Sequence, residues 1–128
     1  MRENKYKVWC KDNNEWEKDD TFISTEGVLF EFKFGILKEL NQLTHIPLFF
    51  TGLKDKNGKD IYEGDIYHQG DKNILYKVIF KDCYFIGNQI GNESLAGLSH
   101  FIKDVEVIGN IFENPELLSN QHRQLSRI

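Results

Sequence analysis

The feature that most constrains the fold is a series of short segments in which apolar and polar residues alternate. Phe30, Phe32 and Phe34 alternate with charged residues, and residues 74–80 repeat the pattern. A period of two residues is typical of a strand with one buried face. Asn57-Gly58, placed between two such segments, favours a β-hairpin. Short strands separated by tight turns predict a mainly β fold, a small antiparallel barrel or sandwich, rather than a parallel sheet.

The chain length of 128 residues fits one hydrophobic core with an accessory lobe. The patterns divide the chain into an N-terminal lobe of residues 1–47, a barrel of residues 48–118 and a flexible tail of residues 119–128. Within the lobe, residues 5–18 predict a hairpin around a polar turn. Residues 36–43 predict a short helix, because their apolar residues recur at helical spacing and Pro47 follows.

Composition and charge exclude several function classes. The net charge of -4 provides no broad positive field for a phosphate backbone. Neither a signal-peptide pattern at the start nor an apolar window of about 18 residues is present, so we expect a cytoplasmic protein without membrane contact. Cys10 and Cys83 are far apart in sequence and belong to no CxxC pair, which argues against a zinc ribbon. We expect both thiols to be reduced.

An acidic segment in the middle of the chain is the main candidate for metal binding. Its oxygen-bearing side chains are Asp55, Asn57, Asp60, Glu63 and Asp65. An EF-hand loop needs oxygen ligands at its first, third and fifth positions and glycine at its sixth, whereas Lys59 is fifth here and Gly58 is fourth. The segment is therefore interpreted as turns, with Gly58 in the left-handed conformation, and no metal or cofactor is predicted. Cation binding and a partner contact are the alternatives.

Separated motifs along the chain resemble the YopX protein family. They are MRE at residues 1–3, KYKVW at residues 5–9, TGLKDKNGKDIYEGDI at residues 51–66 and VIGNIFENPELL at residues 107–118. That family is encoded mainly by phages and prophages of Gram-positive bacteria, and its biochemical role is not established. The resemblance implies a phage or prophage origin and an SH3-like antiparallel barrel in the C-terminal part.

Aromatic and acidic residues near the predicted turns are the candidates for partner binding. The resemblance to SH3-like barrels, whose rims commonly bind peptides, implies a contact role for Tyr62 and Glu63, with Asp55 and Asp65 beside them. In the alternative interpretation, Tyr62 is a half-buried cross-strand partner. Trp9 is the candidate in the N-terminal lobe, where it either packs within the fold or stacks on a ligand.

The sequence carries no spacing typical of an enzyme. Consecutive histidines are at least 22 residues apart, and nucleophile elbow, P-loop and dinucleotide motifs are missing. No catalytic residue is predicted, and the chain is expected not to be an enzyme. The predicted function is a phage or prophage accessory protein that binds a protein partner or assembles into oligomers with its own copies. A nucleic-acid-binding regulator, for which Lys54, Lys56 and Lys59 form a modest basic group, and an unrecognised hydrolase are the alternatives.

Overall fold

A computed structural model describes residues 5–92 and 94–119 and shows a mainly β chain. The sheets are antiparallel, and one of them curls into a half-barrel, which confirms the predicted fold class. The strands are β1 (Tyr6–Cys10), β2 (Glu15–Trp16), β3 (Asp20–Ile23), β4 (Leu29–Lys33), β5 (Ile36–Glu39), β6 (His45–Lys54), β7 (Asp60–Tyr62), β8 (Asp65–His68), β9 (Tyr76–Lys81), β10 (Tyr84–Gln89), β11 (Leu95–Ala96) and β12 (Glu106–Asn110). Short 3₁₀-helices cover Ser99–Asp104 and Pro115–Leu118.

The chain divides into two compact units. The N-terminal unit comprises Tyr6–Leu48, and the C-terminal unit comprises Lys5 together with the described residues from Phe49 onward. Strand β6 begins in the first unit and ends in the second. Each unit has its own cluster of buried apolar side chains, so each is described separately below.

The N-terminal unit contains a hairpin and a three-stranded sheet. In the hairpin, β1 pairs with β2, which confirms the hairpin predicted for residues 5–18. The sheet has the strand order β3-β4-β5, so β3 and β5 are its edges. A small core on one face of this sheet consists of Val8, Leu29 and Leu40, with Tyr6 and Ile23 packed against it.

The short helix predicted for residues 36–43 is wrong. Ile36–Glu39 form β5 instead, which is joined to β4 by a two-residue turn. The turn residues Phe34 and Gly35 have φ of 54° and 74°. Two positive φ values are the mark of a type I′ turn, whose twist matches that of paired strands and folds β5 back along β4. Apolar spacing was misleading because the first two residues of β5 lie on opposite faces of a strand rather than on one face of a helix.

The hairpin predicted around Asn57-Gly58 is present in the C-terminal unit. There the second half of β6 pairs with β7. Gly58 has φ of 82°, and its N–H donates to the carbonyl oxygen of Asp55 at 3.0 Å. The loop spans residues 55–59 and only its glycine takes a positive φ, so it is longer than the two-residue turn that Asn-Gly most favours.

A five-stranded sheet of order β11-β10-β9-β8-β12 completes the C-terminal unit. Strand β8 is buried along its whole length. Its residues Ile66 and Tyr67 face opposite sides of the sheet and belong to two different core clusters. The larger cluster consists of Ile61, Tyr67, Val78, Leu98, Val105 and Val107. Strand β8 therefore contributes to a buried core on both faces of the sheet.

The remaining sequence expectations concern membrane spans, the two cysteines, the domain bounds and the C-terminal tail. Among the described residues, no helix combines the length and apolar character needed to cross a membrane. Cys10 is buried, Cys83 is exposed, and both are free thiols. The division into domains of residues 1–47 and 48–118 stays a prediction. The tail predicted for residues 119–128 lies, beyond its first residue, outside the described part of the chain.

Candidate protein-binding surface

Asp55 is a buried carboxylate in the loop between β6 and β7. Its Oδ1 accepts the backbone N–H groups of Asn57 and Lys59, each at 2.9 Å, and its Oδ2 accepts the N–H of Val107 at 2.9 Å. Burial disfavours the ionised form, but these three donors outweigh that effect and lower the pKa of Asp55 below its usual value. The carboxylate therefore ties the loop to β12, and its role in partner binding stays a prediction.

Tyr62, Glu63 and Asp65 lie at the corner between β7 and β8. Asp65 is buried, and its Oδ2 accepts the N–H of Tyr62 at 2.7 Å. The half-buried Tyr62 ring packs against Phe50 with ring centroids 5.6 Å apart. Glu63 is partly buried, and this burial raises the pKa of its carboxyl group against a backbone hydrogen bond at Phe49. These contacts hold the corner, and a binding role for the three residues stays a prediction.

Trp9, the remaining sequence candidate, is buried in the N-terminal unit. Its ring meets Trp16 edge-on across the hairpin, with centroids 4.9 Å apart and an interplanar angle of 78°. Only 4% of Trp9 is exposed, so the ring offers little area to a ligand. Stacking on a ligand stays a prediction. The other four candidates belong to the C-terminal unit.

The three-stranded sheet carries an exposed apolar surface that the sequence analysis did not predict as a binding site. The strand register places Phe22 opposite Phe30 and Phe32 opposite Leu37. Directly opposed residues share a face of the sheet, and so do residues two apart along β4, which joins these four side chains into one apolar surface. The rings of Phe22 and Phe30 stack at 5.4 Å. We call this surface, together with Phe34 in the adjoining turn, the aromatic face.

The aromatic face is unusually exposed for large apolar side chains. Phe32 and Leu37 are each 51% exposed, Phe22 is 43% exposed and Phe34 is 90% exposed. With 150–250 Å² for each large side chain, these residues present roughly 350–600 Å² of apolar surface. The largest apolar patch of a typical monomer has about this size and is often functional. The face therefore qualifies as a candidate interaction surface.

Phe34 adds a second unusual property. Its φ of 54° lies in the left-handed region, where residues with a Cβ are disfavoured by roughly 1–2 kcal/mol. Asn or Gly is the usual choice at this position of a type I′ turn. The Phe34 ring is almost fully exposed, with Lys33 Nζ 5.6 Å from its centroid. A strained residue that packs little within the fold points to a role outside the fold.

Two acidic residues share the aromatic face. Asp20 lies opposite Phe32, and Glu39 lies opposite Phe30, so the carboxylates project from diagonally opposite corners of the apolar surface. Both acids are exposed, and within the described part of the chain neither forms a salt bridge. The lysine of β5, Lys38, lies opposite Glu31 and therefore on the other face. Lys33, whose Nζ lies 5.6 Å from the Phe34 ring at the turn, is already paired with Asp19 at 3.2 Å. The charged side chains beside the four apolar side chains on the strands are therefore the two acids.

A group of three acids is the other polar feature of the N-terminal unit. Carboxylate oxygens of Glu17, Asp19 and Glu31 lie within 4.8 Å of one another. Asp19 pairs with Lys33 at 3.2 Å, and this hydrogen bond raises the pKa of Lys33. Glu17 accepts the backbone N–H groups of the two residues that follow it and lies 3.7 Å from His45. Because Glu17 and Asp19 already have partners within the fold, the proximity of the three acids does not define a metal site.

Fold and surface together define the class: a small all-β protein with a half-barrel and a separate sheet that exposes aromatic side chains. The profile of the YopX protein family matches residues 5–119. The chain therefore belongs to the YopX family, which confirms the resemblance inferred from its motifs.

Solved structures share this fold. Protein EF1440 from Enterococcus faecalis is 23% identical and superposes with a TM-score of 0.63 over 92% of this chain and 99% of its own. The yopX protein from Bacillus subtilis is 22% identical and superposes with a TM-score of 0.60 over 92% of this chain and 97% of its own. At this level of identity the likeness shows the fold and nothing more. Comparison with curated proteins gives no match.

Proposed function

We propose that this chain is a non-enzymatic accessory protein of phage or prophage origin that acts in the cytoplasm by binding other proteins. The C-terminal unit serves as a rigid scaffold, and the aromatic face of the N-terminal unit is the binding surface. The phage or prophage origin rests on the mainly phage-encoded membership of the family.

The exposure of the aromatic face is the observation that carries this proposal. Aromatic residues are enriched at the centres of protein interfaces, and charged residues are depleted there. A standard interface buries about 800 Å² on each partner. The roughly 350–600 Å² of apolar surface on the face forms the apolar centre of an interface of that size or accommodates a short segment of a partner.

The ionisable groups with shifted pKa values support the non-enzymatic part of the proposal. Hydrogen bonds from Lys5 and Lys54, both at 2.7 Å, lower the pKa of Asp60. Partial burial disfavours ionisation of Glu106, but a 2.9 Å hydrogen bond with His68 and nearby lysines lower the pKa of its carboxyl group. Each shift thus has a structural explanation and does not require a catalytic role.

A random peptide library displayed on a surface and selected against the full-length chain tests the proposal. The selected peptides are then measured against wild type, the double variant Phe32→Ser/Leu37→Ser and the control Phe80→Ser. Phe80 is a matched control because it is 54% exposed and lies on β9 of the C-terminal unit.

We expect enrichment on wild type, a loss of affinity of about tenfold or more for the double variant, and unchanged affinity for the control. Circular dichroism and thermal unfolding verify that the double variant is folded, since partly exposed side chains contribute little to stability. Absence of enrichment, or equal affinity for the double variant, would refute binding through the aromatic face.

A further inference from the structure

The charges on the aromatic face restrict the chemistry of its partner. Asp20 and Glu39 project from the same side of the sheet as the four apolar side chains. Lys38 projects from the other side, and Lys33, next to the Phe34 ring, is paired with Asp19. A partner lying on the strands of the face therefore meets two carboxylates at its margin. Because surface charges steer association and set partner choice, these acids favour a cationic partner.

The sheet geometry sets the distance between the two acids. They lie on β3 and β5, two strand spacings apart, and their rows are offset by two residues. With strands about 4.8 Å apart and a rise of about 3.4 Å per residue, their backbone positions are roughly 12 Å apart. Residues four positions apart in an extended chain are separated by about 13 Å and point to the same side. The residue midway between them points to that side as well.

We propose that the aromatic face binds an extended segment of a partner protein in which an apolar residue stands midway between two lysines or arginines four positions apart. The basic residues pair with Asp20 and Glu39, and the apolar side chain packs on Phe30 and Phe32. This inference rests on the proposed function, that the face binds proteins, and specifies the chemistry of the partner.

A second copy of the chain fits the face less well. Joining two aromatic faces buries roughly 700–1,200 Å² of apolar surface, at or below the lower end of stable interfaces. It also brings four carboxylates to one interface, in a chain whose net charge is already -4. A basic and apolar segment avoids this repulsion and requires no larger contact area.

Two synthetic peptides of equal length test the inference. One contains the core Lys-Thr-Phe-Thr-Lys, and the other replaces both lysines with glutamate. Binding to the full-length chain is measured by fluorescence polarisation at low and at raised salt. We expect the basic peptide to bind at least about fivefold more tightly, because two exposed ion pairs contribute modestly and the acidic peptide is repelled. This preference is expected to shrink as salt rises.

Variants separate the two acids from the overall charge. The double variant Asp20→Asn/Glu39→Gln is expected to lose the preference for the basic peptide. The control Asp12→Asn/Glu26→Gln removes the same number of charges from exposed positions off the face and is expected to retain the preference. Equal losses in both variants contradict the inference, because they indicate attraction to net charge rather than to this surface.

The remaining outcomes distinguish the inference from the proposed function. If both peptides bind equally and the double variant Phe32→Ser/Leu37→Ser abolishes binding, the face binds proteins but the inferred chemistry is wrong. If light scattering shows a dimer that becomes monomeric in that variant, a second copy is the occupant and the inference is likewise wrong. If neither peptide binds, the inference fails, and the library selection decides separately whether the proposed function stands.

Discussion

The two units of this chain use their side chains differently. In the C-terminal unit, Ile61, Ile66 and Tyr67 are completely buried, and the carboxylates of Asp55 and Asp65 accept backbone hydrogen bonds. In the N-terminal unit, the sheet buries apolar side chains on one face and exposes aromatic rings on the other. The fully buried strand β8 and these hydrogen-bonded carboxylates suit the C-terminal unit to be a scaffold, although its surface also exposes Phe80 and Tyr84 at 54% and 59%. A sheet with an exposed apolar face is suited to contact a partner.

The largest effect on stability is expected from a substitution in the C-terminal scaffold. A Cβ added at Gly87 overlaps the hydroxyl oxygen of Tyr67 and comes within 3.3 Å of the carbonyl oxygen of Ala96. Tyr67 is completely buried and stacks on Tyr76, so it has little room to move. Gly87→Ala is therefore expected to lower the free energy of unfolding by about 3 kcal/mol in chemical denaturation.

A double-mutant cycle checks the cause of that loss. The hydroxyl of Tyr67 has no hydrogen-bond partner among the described residues, so Tyr67→Phe is expected to be neutral or slightly stabilising. Combined with Gly87→Ala, it removes the overlapping atom and is expected to restore part of the lost stability. Additive effects of the two substitutions would show that the hydroxyl is not the obstacle.

The second effect concerns the buried carboxylate of the scaffold. Asp55→Asn replaces one acceptor oxygen with an NH₂ group and removes the charge from three hydrogen bonds, which is expected to destabilise the chain by about 2–3 kcal/mol at neutral pH. Asp71→Asn is the matched control, because Asp71 is exposed and its side chain accepts the backbone N–H of Asn73 at 2.9 Å. The control is expected to change stability by less than about 0.5 kcal/mol.

The pH dependence of this effect has a definite sign. The pKa of Asp55 in the folded chain lies below its ordinary value of 3.8, so its ionised form stabilises the fold. That contribution is complete above the ordinary value and disappears as the pH falls through the lowered pKa. The stability difference between wild type and Asp55→Asn is therefore expected to narrow below about pH 3.8. A difference that is independent of pH over this range contradicts the role given to the carboxylate.

A change in the turn of the aromatic face is expected to act in the opposite direction. Phe34→Asn removes a bulky residue from the left-handed region and is expected to raise the free energy of unfolding by about 1 kcal/mol. The same substitution removes the most exposed ring of the face and is expected to weaken binding of the basic peptide. Loss of stability in Phe34→Asn would indicate that the Phe34 ring packs within the fold. Phe34 would then no longer distinguish the exposed N-terminal sheet from the C-terminal scaffold.

The smallest effect is expected at Glu63. Burial raises the pKa of its carboxyl group, so the ionised form opposes folding when the pH is above that pKa. Glu63→Gln is therefore expected to raise the melting temperature slightly at pH 7 and to change it little in acid, where the wild-type carboxyl is protonated. A lowered melting temperature at pH 7 would instead show that ionised Glu63 stabilises the corner.

Local signals predicted the parts of the fold that depend on neighbouring residues. Asn57-Gly58 marked the loop between β6 and β7, because glycine takes the positive φ that the loop requires. The turn at Phe34-Gly35 was not predicted, because the first position of this type I′ turn is occupied by phenylalanine instead of the usual asparagine. Without a recognised turn, the apolar residues that follow resembled one face of a helix.

The aromatic face was not predictable from the sequence for a different reason. The alternation of Phe30 and Phe32 identified β4 as a strand and did not show which of its faces is covered. Phe22 and Leu37 join these residues only through the pairing of three strands, a register that the sequence does not specify. The sequence instead indicated Asp55 and Asp65 as binding candidates. It shows that the carboxylates are clustered, but it does not show that they accept backbone hydrogen bonds within the fold.

Mapping the bound peptide onto the chain by nuclear magnetic resonance tests the division of roles most directly. The basic peptide is added to isotope-labelled full-length protein, and shifts of the backbone amide signals are recorded for both units. We expect the largest shifts in β3, β4, β5 and the turn at Phe34-Gly35, with little change in the amides of the five-stranded sheet. Shifts concentrated around Asp55, Tyr62 and Asp65 would place binding on the C-terminal unit and contradict the assignment of the aromatic face.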